Sequence, residues 1–425
     1  MSIEPFEIHL PQATLDDLDQ RLLTTRWPAD DPGATDWDAG PSPSYLRELC
    51  DHWRTGYDWH AREAELNRFK HFRAVLGGTI VHFIHERGRG DDPLPLVLTH
   101  GFPDSFTRFL KVIPLLTDPA AHGGSASDAF DVVVPSLPGF AFSELRHQNL
   151  FGIGDLWHHL MTDELDYRRF GAHGGDWGST ITEQLARNHP GSLVGIHLTD
   201  VPFWHAFQRP PDLCPSEQEY FATQEHFMMK EGAYAMLQST RPQTLADALN
   251  DSPAGLAAWL VDLFQRWSDC RGHIENRFSK DELLTNVMLY WTRQAVASSF
   301  APYYDITHAG APRWMLEKAK EWVGSSSRVP AGFALFPKDL SHPPREWAER
   351  FFNVQRWTTM ARGGHFAALE EPELLAADIR TFFRPLRGLR PLRGSRTLHG
   401  VAPAARVAPA ARLRPRDGSR PRDRG

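Results

Sequence analysis

Hydrophobic positions recur at two different periods along the chain, and the change of period divides it. Between residues 91 and 200, short apolar runs at 94–99, 130–134, 169–173 and 193–198 read as strands. Helix-period stretches at 106–116, 154–163 and 181–188 fall between or after them. Strands that alternate with helices imply a parallel sheet. Residues 201–310 keep helical spacing with no run that reads as a strand. The alternation then returns over 328–383, with strands at 331–336 and 352–357 and a helix at 372–383. A helical insertion between two parts of a parallel sheet predicts a lid over the carboxyl ends of the strands, where open α/β sheets bind ligands.

Upstream, Leu46, Leu49, Trp53 and Tyr57 lie at helical spacing in a Trp-rich stretch, and Thr14 ahead of Asp16 and Asp17 reads as a helix cap. The predicted organisation is an N-terminal Trp-rich helical and meander module over 1–90, core segments over 91–200 and 328–383, a helical lid over 201–327, and a tail over 384–425. The tail is Arg, Pro, Gly and Ala, repeats residues 401–406 at 407–412, and lacks aromatics. Such a segment cannot bury a core and is expected to be disordered.

The composition adds limits. At 425 residues and 41% hydrophobic content the chain can bury a large core, and 14 Trp and 26 Phe leave material for an apolar pocket. The net charge of −7 hides an asymmetry, because the tail carries twelve Arg against two acids, Asp417 and Asp423. The remaining body is strongly acidic and poorly suited to nucleic acid or an anionic membrane. Cys50, Cys214 and Cys270 show neither disulfide nor metal-ligand spacing, which fits a reducing compartment, read as the cytoplasm. Residues 1–10 lack a basic n-region and an apolar h-region, and no run of about 18 apolar residues occurs. Neither a signal peptide nor a membrane anchor is expected.

Three short motifs carry candidate chemistry. Gly174-Gly175-Asp176-Trp177-Gly178 has the small-x-nucleophile-x-small form of a nucleophile elbow, with Asp at the centre and Ser179 outside the pattern. A carboxylate attacks saturated carbon and forms an ester, whereas against esters or amides it would gain nothing. His100-Gly101-Phe102-Pro103 follows a strand, where the Phe102 N–H could join that of Trp177 in an oxyanion hole. In Gly363-Gly364-His365-Phe366, His365 falls between the last strand and the last helix, the place for a general base. Asp339 follows the preceding strand and is placed to orient the imidazole, with Glu346 a competitor in the same loop.

Taken with these motifs, the chain from Pro5 to Phe383 resembles the microsomal-type epoxide hydrolase family, which includes soluble bacterial and fungal members. Shared features include Trp53-Arg54, Tyr57-Asp58-Trp59, Pro135-Ser136-Leu137-Pro138-Gly139-Phe140, Gln238-Ser239-Thr240, Trp267-Ser268-Asp269, Leu283-Leu284-Thr285-Asn286 and the segment Gly363–Glu370. The resemblance implies an α/β-hydrolase fold with a helical lid and no cofactor or metal. It also implies two lid tyrosines that donate to the epoxide oxygen, corresponding to Tyr234 and Tyr303, with Tyr304 the rival of the latter. It suggests a homodimer. Phe102 stands where family members usually carry Trp, and Ala141 where Gly is common, so the pocket shape is open. The implied reaction opens an apolar epoxide on Asp176 and releases a vicinal diol, with Trp177 and Phe102 against the substrate. The alternatives are a haloalkane dehalogenase-like hydrolase, and a non-catalytic ligand-binding protein on the same scaffold.

Overall fold

The structure is a computed structural model that describes residues 3–29, 36–145, 150–207, 209–308 and 326–388, all within one compact unit, Met1–Leu392. Residues 389–425, most of the tail expected to be disordered, lie outside the described residues.

Five strands read almost without polar interruption: β4 (Leu94–Thr99), β5 (Phe130–Pro135), β6 (Phe170–Gly174), β7 (Leu193–Leu198) and β8 (Pro330–Leu335). Such continuous burial belongs to strands covered on both faces. They pair in parallel in the order β5-β4-β6-β7-β8, and β9 (Asn353–Thr359) adds a parallel edge. Because β4 lies between β5 and β6, the chain reverses its direction of travel across the sheet beside β4 and β6. Their carboxyl ends open the crevice where such sheets bind ligands.

The N-terminal module pairs its helices with a small antiparallel meander. It adds β1 (Glu4–Phe6), β2 (His71–Leu76) and β3 (Thr79–Glu86), antiparallel to one another, with β3 antiparallel to β5. Gly77 and Gly78, both at positive φ, make the two-residue turn between β2 and β3. After α1 (Gln12–Leu23), Leu46, Leu49 and Trp53 fall on α2 (Pro43–Thr55), Tyr57 lies in the link that follows it, and α3 (Trp59–Leu66) is capped by Asp58, which accepts from the Ala61 N–H at 3.1 Å. Helix α1 begins at Gln12 behind Pro11, so Thr14 lies inside its first turn and is not the cap.

The helix expected over 106–116 is a 3₁₀ turn, Phe106–Phe109, followed by a short helix, α4 (Val112–Thr117), and α5 (Ile153–His159) continues into a π turn. The tail boundary also moves. Arg384–Leu386 forms a helical turn, Leu386 is buried, and Arg384 pairs with Asp128 at 2.6 Å.

The described part of the insertion between β7 and β8 is helical, while residues 309–325 of the expected lid lie outside the described residues. It comprises α7 (Pro215–Glu231), α8 (Ala233–Thr240), α9 (Pro242–Asp251), α10 (Pro253–Trp267), α11 (Lys280–Arg293) and α12 (Val296–His308), counting α6 (Trp177–Asn188) as the helix after β6. Ser252 caps α10, and Ser279 with Glu282 forms a capping box on α11. Helix α11 is gripped from both sides. From the N-terminal module, His52 meets Asp281 at 2.7 Å, Tyr57 meets Thr285 at 3.1 Å, and the Trp53 indole N–H donates to Met288 Sδ at 3.4 Å. Toward the sheet, Asn286 donates to the Pro103 carbonyl at 2.8 Å and Tyr290 to that of Asp104 at 2.9 Å. The Trp-rich module thereby fixes the loop that follows β4. No helix among the described residues is long and apolar enough to cross a membrane.

Candidate active site

Asp176 stands between β6 and α6 with φ 57° and ψ −129°. A non-glycine residue there stores roughly 1–3 kcal/mol of strain, held only where the surroundings over-determine it. The flanking glycines allow the turn. A Cβ on Gly178 would lie 2.1 Å from the Thr99 carbonyl oxygen, and one on Gly174 would lie 2.2 Å from that of Gly178. Gly101 is also obligatory, since its Cβ would meet Asp176 Oδ1 at 2.1 Å.

The two carboxylate oxygens of Asp176 have different neighbours. Oδ1 accepts from the Phe102 N–H at 2.8 Å, and the Trp177 N–H also bonds the carboxylate. Oδ2 lies 3.6 Å from His365 Nε2. Burial pushes the Asp176 carboxyl up from its ordinary value, opposed by His365 and the two N–H donors.

His365 is carried on the loop after β9. Its Nδ1 and Asp339 Oδ1 are 2.7 Å apart, its N–H donates to the Trp267 carbonyl at 2.9 Å, and its Nε2 is buried without a protein hydrogen-bond partner. Burial alone would lower the imidazole pKa; the Asp339 and Asp176 carboxylates outweigh it and raise it. Burial works against ionised Asp339 too, but His365 and the Leu340 N–H, donating at 2.7 Å, hold it below the usual carboxylate value. Glu346 is exposed on the helix Arg345–Glu349, away from the imidazole contacts.

The lid brings Tyr234 from α8 and Tyr303 from α12 together, with ring centroids 6.0 Å apart and hydroxyls bonded to one another. Burial, with Asp176 nearby, raises both phenols, so both keep their protons at neutral pH. Tyr303 packs edge-on against Trp177 at 4.8 Å and Phe102 at 5.6 Å, and is 8% exposed, whereas Tyr304 is 41% exposed. Trp267 lies against Tyr234 at 4.8 Å and His365 at 5.3 Å. Ala141 adopts φ 46°, a conformation glycine takes without strain. Among the described residues, no group of three or more His, Cys, Asp or Glu side chains is placed to hold a metal ion.

Several residues of the site were not singled out from sequence. Buried Arg108 pairs with Asp104 and donates to the His365 carbonyl at 2.5 Å. Glu370 accepts from the Gly364 and Phe366 N–H groups at 3.1 and 3.0 Å and from that of Asp269 at 2.8 Å, which clamps the histidine loop. Asp200 lies two residues beyond β7, next to the elbow. An acid after the strand adjacent to the elbow strand is the only sequence signal for it, and using that signal requires the sheet order.

A mostly parallel sheet, an elbow between strand and helix, and a loop-borne acid–histidine pair define an α/β-hydrolase. The α/β hydrolase fold family matches residues 95–246, and the epoxide hydrolase N terminus family matches residues 3–109. A putative epoxide hydrolase of Stigmatella aurantiaca is 44% identical over 390 residues, covering 91% of this chain and 86% of that one. Epoxide hydrolase 1 of Sus scrofa is 35% identical over 415 residues, covering 90% and 88%. The structure of Aspergillus niger epoxide hydrolase superposes with a TM-score of 0.77 at 29% identity, covering 91% and 97%. The chain belongs to the epoxide hydrolase family.

Proposed function

We propose that the enzyme converts an apolar epoxide and water to a vicinal diol through a covalent ester on Asp176. The observation that carries this reading is the asymmetric Asp176 carboxylate, with one oxygen held by the Phe102 N–H at 2.8 Å and the other facing His365 Nε2 at 3.6 Å. Tyr234 and Tyr303 donate to the epoxide oxygen, which a neutral phenol can do because it remains protonated. Oδ2 attacks a ring carbon, the C–O bond of the ring breaks, and the alkoxide takes a tyrosine proton. His365, oriented by Asp339, then removes a proton from water that attacks the ester carbonyl carbon. The Phe102 and Trp177 N–H groups hold the oxyanion; on its collapse the departing alkoxide takes the proton from the His365 imidazolium and leaves as the diol, and the proton left on the Asp176 carboxyl returns to the tyrosinate.

Around this chemistry stand Trp177, Phe102 and Phe203, the last 5.0 Å from Trp177, which favours aryl or long-chain epoxides. The free cysteines, Cys50 and Cys270 buried among them, fit a reducing cytoplasm.

Turnover of styrene oxide against 1-bromobutane tests the assignment. Diol formation without bromide release is expected, because the lid presents phenol donors suited to a developing alkoxide. Bromide release faster than diol formation would identify a dehalogenase instead. Thermal stabilisation by the epoxide without either product would identify a binding protein.

A further inference from the structure

A third carboxyl group adjoins the elbow, and no step of the proposed reaction uses it. Asp200 Oδ1 accepts from the Asp176 backbone N–H at 3.3 Å. Asp200 Oδ2 lies 3.0 Å from the Ser179 hydroxyl oxygen, which itself donates to the Asp176 carbonyl at 2.7 Å. The contacts therefore reach both sides of the one strained residue of the elbow, its N–H directly and its C=O through Ser179. The Asp176 N–H precedes the first turn of α6 and has no place in the helical ladder.

We infer that Asp200 is a positioning residue for Asp176, holding the strained residue so that Oδ2 stays on the line of attack while Oδ1 stays on the Phe102 N–H. The inference rests on the reading of Asp176 as the nucleophile.

The charge state of Asp200 fits this work. Facing it are Asp176 and Ser179 from the elbow, Asp339 from the loop after β8, His365 from the loop after β9, and Tyr220 from α7. Burial first, then Asp339 and Asp176, push its carboxyl up to about 7. Near neutrality a neutral Asp200 can accept the Asp176 N–H through Oδ1 and donate from Oδ2 to Ser179, which passes its own proton to the Asp176 carbonyl. All three links are then satisfied, and no third negative charge joins the ionised Asp176 and Asp339 in the buried site. Above neutrality, the ionised form repels charge from Asp176 and makes it a stronger nucleophile.

The test is run in the full-length His365→Gln protein, where the ester accumulates and the histidine titration is absent. The rate of mass gain on Asp176 is followed in single turnovers with styrene oxide between pH 6 and 8. With Asp200 intact, the alkylation rate should rise several-fold toward the upper end of this range, because loss of the His365 charge moves the Asp200 carboxyl further up. Asp200→Ala should slow alkylation by about tenfold to a hundredfold, the cost of a nucleophile displaced by up to about 1 Å. Asp200→Asn keeps one acceptor and one donor in the same places, so it should recover most of that rate. It should also lose the rise with pH, which a purely structural role would leave unchanged. Alkylation by Asp200→Ala at the parent rate, or an unchanged rise with pH in Asp200→Asn, would overturn the inference. Absence of any adduct in the His365→Gln parent would overturn the nucleophile reading itself, a separate and distinguishable failure.

Discussion

In the His365→Gln protein, one equivalent of an epoxide is expected to add to Asp176 and stay there, raising the intact mass by one substrate. Steady-state turnover should fall by about a thousandfold or more, as it does when a general base of a triad is lost. On the proposed route, ring opening needs only the Asp176 carboxylate and the phenol donors. Hydrolysis of the ester needs a base for water, and His365 Nε2 is the buried nitrogen, 3.6 Å from Oδ2, with no other protein partner. Glutamine occupies similar space but accepts no proton at neutral pH. Peptide mapping should place the adduct on Asp176, and Asp176→Asn should form none. Turnover close to the native rate, or mass added elsewhere, would remove Asp176 and His365 from these roles.

Replacing both Tyr234 and Tyr303 with Phe should reduce ring opening by about ten-thousandfold, against roughly a hundredfold for either single change. The leaving alkoxide must be met by a proton, and the two buried hydroxyls, bonded to one another near Asp176, are the phenols the lid presents there. With both absent, adduct formation in the His365→Gln background should nearly stop while the fold persists, since the rings keep their contacts with Trp177 and Trp267. Tyr304→Phe should change little, because that side chain is 41% exposed. A near-native rate in the double variant, or a large loss from Tyr304→Phe, would move the donors to other residues.

Legibility in the sequence followed burial. The strand Leu94–Thr99 and the helix Pro372–Phe383 were read to the residue, because one is a continuous buried run and the other a regular amphipathic stripe behind a proline. Within the N-terminal meander, the β2–β3 hairpin could not be placed, for the opposite reason. Val75 and Ile80 are apolar yet 39% and 42% exposed, while His71 and His82 are buried, which inverts the alternation that marks a half-buried strand. Only the Gly77-Gly78 pair announced it. Asp176 and His365 could be picked out because their glycine-flanked turns are local in sequence. Arg108 and Asp200 act through partners brought together by the sheet order, such as Arg108 bonding a carbonyl 257 residues away. No local pattern encodes such pairings.

The hydrogen bond from the Phe102 N–H to a single oxygen of Asp176 gives the site an isotopic memory. On the proposed covalent route, the oxygen that attacks carbon in heavy-oxygen water should depart with the first diol, which is expected to be unlabelled. The oxygen delivered by water takes its place on the histidine side, while Oδ1 remains in the grip of Phe102. If that grip prevents the carboxylate from rotating between cycles, the second diol carries the label completely. A freely rotating carboxylate would instead dilute the second diol to about half and release the last original oxygen over several cycles. Counting labelled product turnover by turnover thus reads how firmly one backbone N–H holds one oxygen.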